Sequence, residues 1–214
     1  MSKSLNLLVE SSDNVEVLTE QTDNGKQMYI EGIFAQANIR NGNGRLYEQS
    51  IMEAAVDKFN AQYVYKNRAL GELNHPEYPF PDPDKAAIRI TEMRMNGNNV
   101  YGKALVLNTP KGQTVRGLLE GGFAMGVSTR GLGSLKEKNG IKYVQNDFMM
   151  SAVDCVDNPS APDAHVNAIM ESTRWALNES SGVWVPVMSE SESDETNEQM
   201  FLEKLEQILK GYKK

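Results

Sequence analysis

Turn signals divide the 214-residue chain into short apolar segments, and this spacing is what most constrains its fold. Residues 28–35 are rich in strand formers and precede an Asn-Gly-Asn-Gly turn at 41–44. The pattern of residues 86–107 predicts a hairpin with Asn96-Gly97 at its tip, and Asn139-Gly140 predicts a second hairpin. This pattern predicts a predominantly β, α+β fold, and an antiparallel β-barrel with flanking helices is an arrangement that fits it.

Two segments carry helical periodicity instead. Residues 48–59 place apolar side chains on one face, which predicts a surface helix packed on the sheet. Thr109 and Pro110 have the types preferred at a helix N-terminus, and Gly121-Gly122 is a stop signal. The sequence therefore predicts a second helix between these signals.

The length suits one buried core with two tails. Residues 1–26 are polar and acidic, and they predict a flexible leader or propeptide. The folded domain is expected over residues 27–170. Residues 171–214 are predicted to be an acidic flexible tail that contains an apolar island at 183–187 and ends in an amphipathic helix.

Charge and composition exclude several function classes. The net charge of −7 argues against a nucleic-acid surface, which needs basic residues to neutralise phosphates. No apolar run has membrane-spanning length, so no membrane association is expected. Cys155 is the single cysteine, and the two histidines lie ninety positions apart, so no disulfide, metal or other cofactor is predicted.

The candidate chemical centre is the segment 126–135 (GVSTRGLGSL), in which Ser128 lies among glycines. Such a serine can act as a nucleophile beside backbone N–H groups that stabilise an oxyanion. A Gly-rich turn between two strands is the alternative reading. Arg130 is compatible with either an oxyanion or substrate contact or a salt bridge that positions the loop.

A nucleophilic serine needs a general base, and only two histidines are available. His75 ends an ordered segment before a proline-rich loop, whereas His165 lies in a predicted late helix. Asp154 interrupts an apolar strand and needs a partner there, which makes it the best carboxylate to orient a histidine; Glu72 and Asp163 are weaker choices. On these residues alone, a structural His75 and a surface Ser128 remain open.

Several motifs in register resemble the prohead (procapsid maturation) proteases of T-even-type tailed bacteriophages. The motifs are residues 71–76 (GELNHP), the segment 126–135, Val153-Asp154, residues 159–164 (PSAPDA), and the early segments 29–34 and 45–47. The resemblance spans roughly residues 28 to 170. It implies a serine endopeptidase with a fold similar to the herpesvirus assembly proteases, in which His75 and Ser128 are catalytic.

The resemblance also implies finer roles. Asp154 matches the acidic position that would orient His75, although the herpesvirus relatives use a second histidine there. The backbone N–H groups near Thr129 to Gly131 or Gly133, with Arg130, are candidate oxyanion or substrate contacts.

Family members are expected to cleave after glutamate in an apolar-x-Glu motif, which requires a cation to bind that carboxylate. Arg40, Arg45, Arg89 and Arg130 are the candidates. Matching triplets end at Glu10, Glu20 and Glu171, which predicts self-cleavage after one or more of them. Matches by chance are the alternative, since the same triplet also occurs within predicted helices.

The implied partners are scaffold and core proteins, the precursor of the major capsid protein and further copies of the chain, inside the prohead in the host bacterial cytoplasm. A different class of function, an inactive scaffold-binding assembly protein with a protease fold, is the alternative. Hydrolysis of a small ester is disfavoured because Ser128 lacks the full G-x-S-x-G elbow.

Overall fold

A computed structural model describes residues 4–12, 15–22, 25–76, 78–156, 174–178 and 181–187. The strands are β1 (Leu5–Ser12), β2 (Val15–Thr22), β3 (Gly25–Gln36), β4 (Arg45–Leu46), β5 (Leu70–Glu72), β6 (Ala86–Asn96), β7 (Asn99–Val106), β8 (Gly126–Gly133), β9 (Leu135–Lys138), β10 (Ile141–Val144), β11 (Met149–Val156), β12 (Arg174–Asn178) and β13 (Val183–Val187). The helices are α1 (Gln49–Gln62) and α2 (Pro110–Glu120), with short 3₁₀ turns at Val64–Lys66 and Pro83–Lys85.

The strands form three sheets. A five-stranded sheet has the order β11-β8-β1-β12-β13, a second has the order β2-β3-β7-β6-β5, and a small third sheet has the order β4-β10-β9. The predicted α+β, predominantly β fold is confirmed. The architecture includes a sheet that is curled into a half-barrel, with few helices. Neither described helix has the length and hydropathy that a bilayer span requires.

Both predicted helices are present in the structure. The buried face of α1 includes Met52, Val56 and Phe59, which pack into the main core. At the start of α2, the side chain of Thr109 accepts a hydrogen bond from the N–H of Gly112. The two predicted hairpins are β6–β7 and β9–β10.

The segment predicted as a flexible leader instead forms two strands. β1 lies between β8 and β12 and pairs with β8 along most of its length, while β2 pairs with β3. Leu7 and Val9 join one apolar cluster with Trp175, whereas Leu8 joins the main core on the other face. A strand that is buried on both faces has apolar side chains on both of them, so apolar and polar residues do not alternate along it. For this reason the pattern of residues 5–9 did not indicate a strand.

The described part of the predicted tail is also strand. β12 pairs with β1, and β13, which is the apolar island at 183–187, pairs with β12. The helices predicted late in the domain and at the C-terminus lie outside the described residues. The use of residues 1–26 as a propeptide stays a prediction.

The glycine-rich segment is the fully buried strand β8, so its reading as a turn is wrong. A Cβ on Gly131 would lie 2.4 Å from Cε2 of Phe148 and 2.7 Å from the carbonyl oxygen of Met149. Glycine is therefore required there by close packing in the middle of a sheet, and not by a turn.

We expect Gly71→Ala to destabilise the fold by about 2–3 kcal/mol, because a well-packed site has no room for an added methyl group. A Cβ at Gly71 would lie 1.8 Å from the carbonyl oxygen of Val153, which is backbone and cannot rotate away. Urea unfolding monitored by circular dichroism measures the change.

Gly117→Ala is the matched control, since nothing lies within 4 Å of the added Cβ on α2. It should leave stability unchanged or raise it by up to about 1 kcal/mol. Equal unfolding midpoints for the two variants would contradict the close contact between β5 and β11.

Candidate active site

The carboxylate of Asp154 is the centre of a buried polar cluster. Asp154 lies on β11 with no solvent exposure, and four nitrogen atoms surround its two oxygens. Oδ2 is 3.1 Å from Nδ1 of His75 and 2.5 Å from Nε of Arg130. Oδ1 accepts hydrogen bonds from Nη2 of Arg130 at 3.0 Å and from the backbone N–H of Glu72 at 2.8 Å. The buried charge is therefore fully compensated.

The contact between β5 and β11 brings His75 to this carboxylate. Leu73 forms a parallel bridge with Cys155, and the N–H of Asn74 donates to the carbonyl of Cys155 at 2.7 Å. Asn74 has a φ of 64°, a left-handed conformation that asparagine tolerates better than most residues. The chain turns at Asn74 and places His75 beside Asp154.

The two ring nitrogens of His75 have different surroundings. Nδ1 faces Asp154, whereas Nε2 is buried and has no hydrogen-bond partner among the described residues. With Nδ1–H donating to the carboxylate, Nε2 carries the lone pair and can accept a proton. The contact with Asp154 thus fixes the orientation of the His75 ring.

Ser128 lies on the same face of the sheet as Asp154, the carboxylate that His75 contacts. It is the direct cross-strand partner of Asp154 in the pairing of β8 with β11. Directly opposed Cβ atoms lie about 5 Å apart and point to one face. Arg130, two residues further along β8, shares that face and reaches Asp154. The structure therefore brings His75, Ser128 and Asp154 together.

Arg130 is fully buried and forms ion pairs with carboxylates. These contacts agree with the interpretation of Arg130 as a salt bridge that positions the surrounding chain. In addition to its contacts with Asp154, its Nη2 lies 3.7 Å from Oε1 of Glu72. Its Nη1 donates to the backbone carbonyl of Tyr78 in the proline-rich loop. The guanidinium therefore joins β8, β11 and the loop after His75.

The other predicted site residues lie elsewhere. Gly131 is three residues along β8 from Ser128, about 10 Å away, and its role as an oxyanion or substrate contact stays a prediction. The carboxylate of Glu72 accepts from the N–H of Asp82 at 2.8 Å and does not contact His75. Asp163, His165 and Glu171 are outside the described residues. No group of three His, Cys, Asp or Glu side chains in the described part of the chain is placed to hold a metal ion.

Glu10 belongs to a second buried acidic site, which the sequence reasoning missed. Its Oε1 is 2.6 Å from Nη1 of Arg45 and accepts from the hydroxyl of Tyr47 at 2.8 Å. Its Oε2 accepts from Nδ2 of Asn41 at 2.5 Å and from Nδ2 of Asn43 at 2.9 Å. Burial raises the pKa of the Glu10 carboxyl, and Arg45 opposes that rise. The sequence did contain a signal for this site, because Glu10 directly follows the largely apolar segment 5–9. A carboxylate next to apolar strand residues is also the signal that indicated Asp154.

Comparison with known proteins defines the class. Residues 8–174 match the model of the family described as prohead core protein serine proteases, so the chain belongs to this family and is a protease. It is 46% identical over 143 residues to the prohead core protein protease of Enterobacteria phage T4, covering 65% of this chain and 68% of that protein. Its fold matches the structure of the bacteriophage T4 capsid assembly protease gp21 with a TM-score of 0.67 and 37% identity, covering 71% of this chain and 97% of that one. The resemblance to prohead proteases is confirmed.

We expect Arg130→Met to destabilise the protein by about 3–5 kcal/mol, because it leaves the buried carboxylate of Asp154 without its cation. Adding Asp154→Asn should recover part of that loss, because the uncompensated charge is then removed. A double-mutant cycle by urea unfolding measures the coupling.

Arg68→Met removes an exposed arginine and is the matched control, with an expected effect within about 0.5 kcal/mol. Additive effects of Arg130→Met and Asp154→Asn would contradict the ion pair.

Proposed function

We propose that the chain is a serine endopeptidase of prohead maturation, with Ser128 as nucleophile, His75 as general base and Asp154 as the residue that orients His75. The observation that supports this most directly is the contact of His75 Nδ1 with the buried Asp154, on the face of the sheet that also carries Ser128. Nucleophile, base and orienting carboxylate are the components of a serine protease site.

In the proposed mechanism, Nε2 of His75 takes the proton of the Ser128 hydroxyl while Oγ bonds to the scissile carbonyl carbon. The protonated imidazole then gives this proton to the leaving amine nitrogen as the C–N bond breaks, which leaves an acyl-enzyme ester. Water attacks the ester carbonyl, His75 takes a proton from the water, and that proton returns to Oγ as the ester bond breaks. Asp154 stabilises the imidazolium in both halves, and Arg130 holds Asp154 in place.

The expected substrates are the scaffold and capsid precursor proteins within the prohead, cut after glutamate in apolar-x-Glu motifs. The family description supports the location, and the motif comes from the family resemblance. We extend the proposal to a fold shared with the herpesvirus assembly proteases, since the mostly β architecture is compatible with it.

Self-processing after Glu10 is part of the proposal because of the register of β1 on β8. Ser11 is the cross-strand partner of Ser128, and Glu10 is the partner of Thr129. The peptide bond between Glu10 and Ser11 therefore lies beside the proposed nucleophile. Glu20 lies on β2, where its carboxylate is 2.5 Å from Nζ of Lys103, and the described contacts do not connect it with Ser128. Cleavage after Glu20 or Glu171 stays a prediction.

The rival function, an inactive scaffold-binding protein, is favoured by one observation. Ser128 has no solvent exposure and lies on a strand flanked by β1 and β11. An active enzyme must therefore move or cut β1 before another protein can reach Ser128.

We expect a fluorophosphonate probe to label Ser128 once the N-terminal strand has been processed. His75→Ala should slow labelling by about 10²–10⁴-fold, because the hydroxyl then has no base. Peptide mapping of the labelled protein identifies the site.

Ser134→Ala is the matched serine control and should keep full labelling, since Ser134 Oγ instead donates to Asp147 at 2.7 Å. Labelling that persists in Ser128→Ala, or that never reaches Ser128 in the processed protein, would favour the inactive rival.

We expect intact-mass spectrometry of the incubated protein to detect a species that begins at Ser11. Because the strand and the nucleophile belong to one chain, the rate of its formation should not change over a tenfold range of protein concentration. The same spectra report any cleavage after Glu20 or Glu171.

Ser128→Ala is the control and should keep its N-terminus. A wild-type protein that also keeps residues 1–10 would refute self-processing at this bond.

A further inference from the structure

The proline-rich loop after His75 depends on side chains from other elements for its position. Its described residues 78–82 belong to no strand or helix. Residues 76, 79, 81 and 83 are prolines, which have no backbone N–H to donate to a neighbouring strand. The carbonyl groups of the loop can still accept hydrogen bonds. Donors that reach these carbonyls therefore decide where the loop lies.

Two consecutive carbonyls of the loop are bound from the sheet. Nη1 of Arg130 donates to the carbonyl of Tyr78. The hydroxyl of Ser151 donates to the next carbonyl, that of Pro79, at 2.5 Å. These carbonyls lie three and four residues after His75, so their position limits where the His75 ring can lie.

Ser151 is the extra residue of a β-bulge in β11. The residues before and after it pair with consecutive residues of β8, Gly131 and Arg130. Its hydroxyl is buried and also lies 3.2 Å from the backbone carbonyl of Arg130. One hydroxyl proton thus lies between a carbonyl of β8 and a carbonyl of the loop, and the contact with Pro79 is the shorter one.

The bulge also decides which way the end of β11 faces. Val153 and Cys155 join the main apolar core, and Asp154 faces the side of Ser128. If Ser151 were paired and the start of β11 kept its partners, Val153 would lie opposite Ser128, and Asp154 would turn toward the apolar core. Leaving Ser151 out of the pairing therefore keeps the carboxylate opposite the proposed nucleophile.

A second bulge shows what such a hydroxyl does for the sheet alone. Thr91 is the extra residue of a bulge in β6, and its hydroxyl donates to the carbonyl of Lys103 on the opposite strand at 3.1 Å. The contact of Ser151 with the carbonyl of Arg130 is equivalent. Support of the bulge accounts for that contact, but it does not account for the shorter one with Pro79, which lies outside the sheet.

We propose that Ser151 is a positioning residue, whose hydroxyl holds the proline-rich loop so that the ring of His75 stays on the carboxylate of Asp154. This inference rests on the proposed function and adds a residue to it. Ser151 acts through the loop and does not touch the reacting atoms. Because it is uncharged, its substitution can displace His75 without removing a charge from the site.

The first test observes the His75 ring by NMR in the full-length Ser128→Ala/His165→Gln protein, which lacks the proposed nucleophile and has a single histidine. An Nδ1–H that donates to a buried carboxylate is protected from exchange with water and should give a resolved resonance. Ser151→Thr keeps the hydroxyl and should keep this resonance. Ser151→Val has the shape of threonine without the hydroxyl and should lose it.

The second test measures the rate at which a fluorophosphonate labels Ser128. Intact mass identifies the molecules whose N-terminus has been cut, and the rate is compared for these molecules. Ser151→Val and Ser151→Ala should be labelled about 10–100-fold more slowly than the wild type, as expected for a base displaced by about 1 Å, and Ser151→Thr should stay within about threefold.

Thr91→Val is the matched control, because it removes the hydroxyl of the other bulge at constant shape. It should change neither the Nδ1–H resonance nor the labelling rate. Circular dichroism shows which variants are folded. If Ser151→Val does not fold, Ser151→Ala, which has the smaller side chain, replaces it in both tests.

A retained Nδ1–H resonance, or labelling at the wild-type rate, in a folded variant without the Ser151 hydroxyl would overturn the inference. Equal losses in Ser151→Thr and Ser151→Val would also overturn it, because the hydroxyl would then have no part in the effect. Absence of labelling in every protein, the wild type included, would refute the proposed function. The resonance would still report whether Ser151 positions His75, so the two failures are distinguishable.

Discussion

The burial of the Asp154 carboxylate is the constraint on which the site depends. A charge without solvent exposure must be compensated by fixed partners, and here these are Arg130, the N–H of Glu72 and the ring of His75. The partners come from β8, from β5 and from the loop directly after β5, so the need to compensate one carboxylate on β11 ties β5, β8 and β11 together. The orientation of His75 follows from the same requirement.

Strand β8 separates two buried acidic sites. One face carries Ser128 and Arg130 near Asp154, and the other carries Glu10, which contacts Asn41, Asn43, Arg45 and Tyr47. An extended peptide paired with β8 presents alternate side chains to the two faces, while its backbone stays at the level of Ser128. This geometry keeps the contacts of Glu10 on the face of the sheet opposite Ser128. It accounts for a glutamate that is bound far from the ion pair of Arg130.

The central position of β1 connects folding with activity. Leu7, Leu8 and Val9 are among the most buried side chains of the protein, and β1 links β8 with β12. Vacating the place beside Ser128 therefore requires the loss of apolar contacts as well as of the contacts of Glu10, and the proposed cut within β1 would not require that loss in advance. Local patterns indicated the helices and hairpins correctly. They failed for β1 and β8, because strands buried on both faces lack the alternation that marks a half-buried strand.

The turns, the two helices, the predominantly β class, the family motifs and the candidates His75, Ser128 and Asp154 could all be predicted from the amino-acid sequence. Which side chains meet could be seen in the folded structure alone. Glu10 and Arg45 are 35 positions apart, and His75 and Asp154 are 79 positions apart, so both contacts depend on strand order and register. A register shift of one residue would turn every side chain of β1 to the opposite face, and the choice of register is made by burial across the whole sheet. This is why the contact between Glu10 and Arg45 could not be predicted from the chain alone.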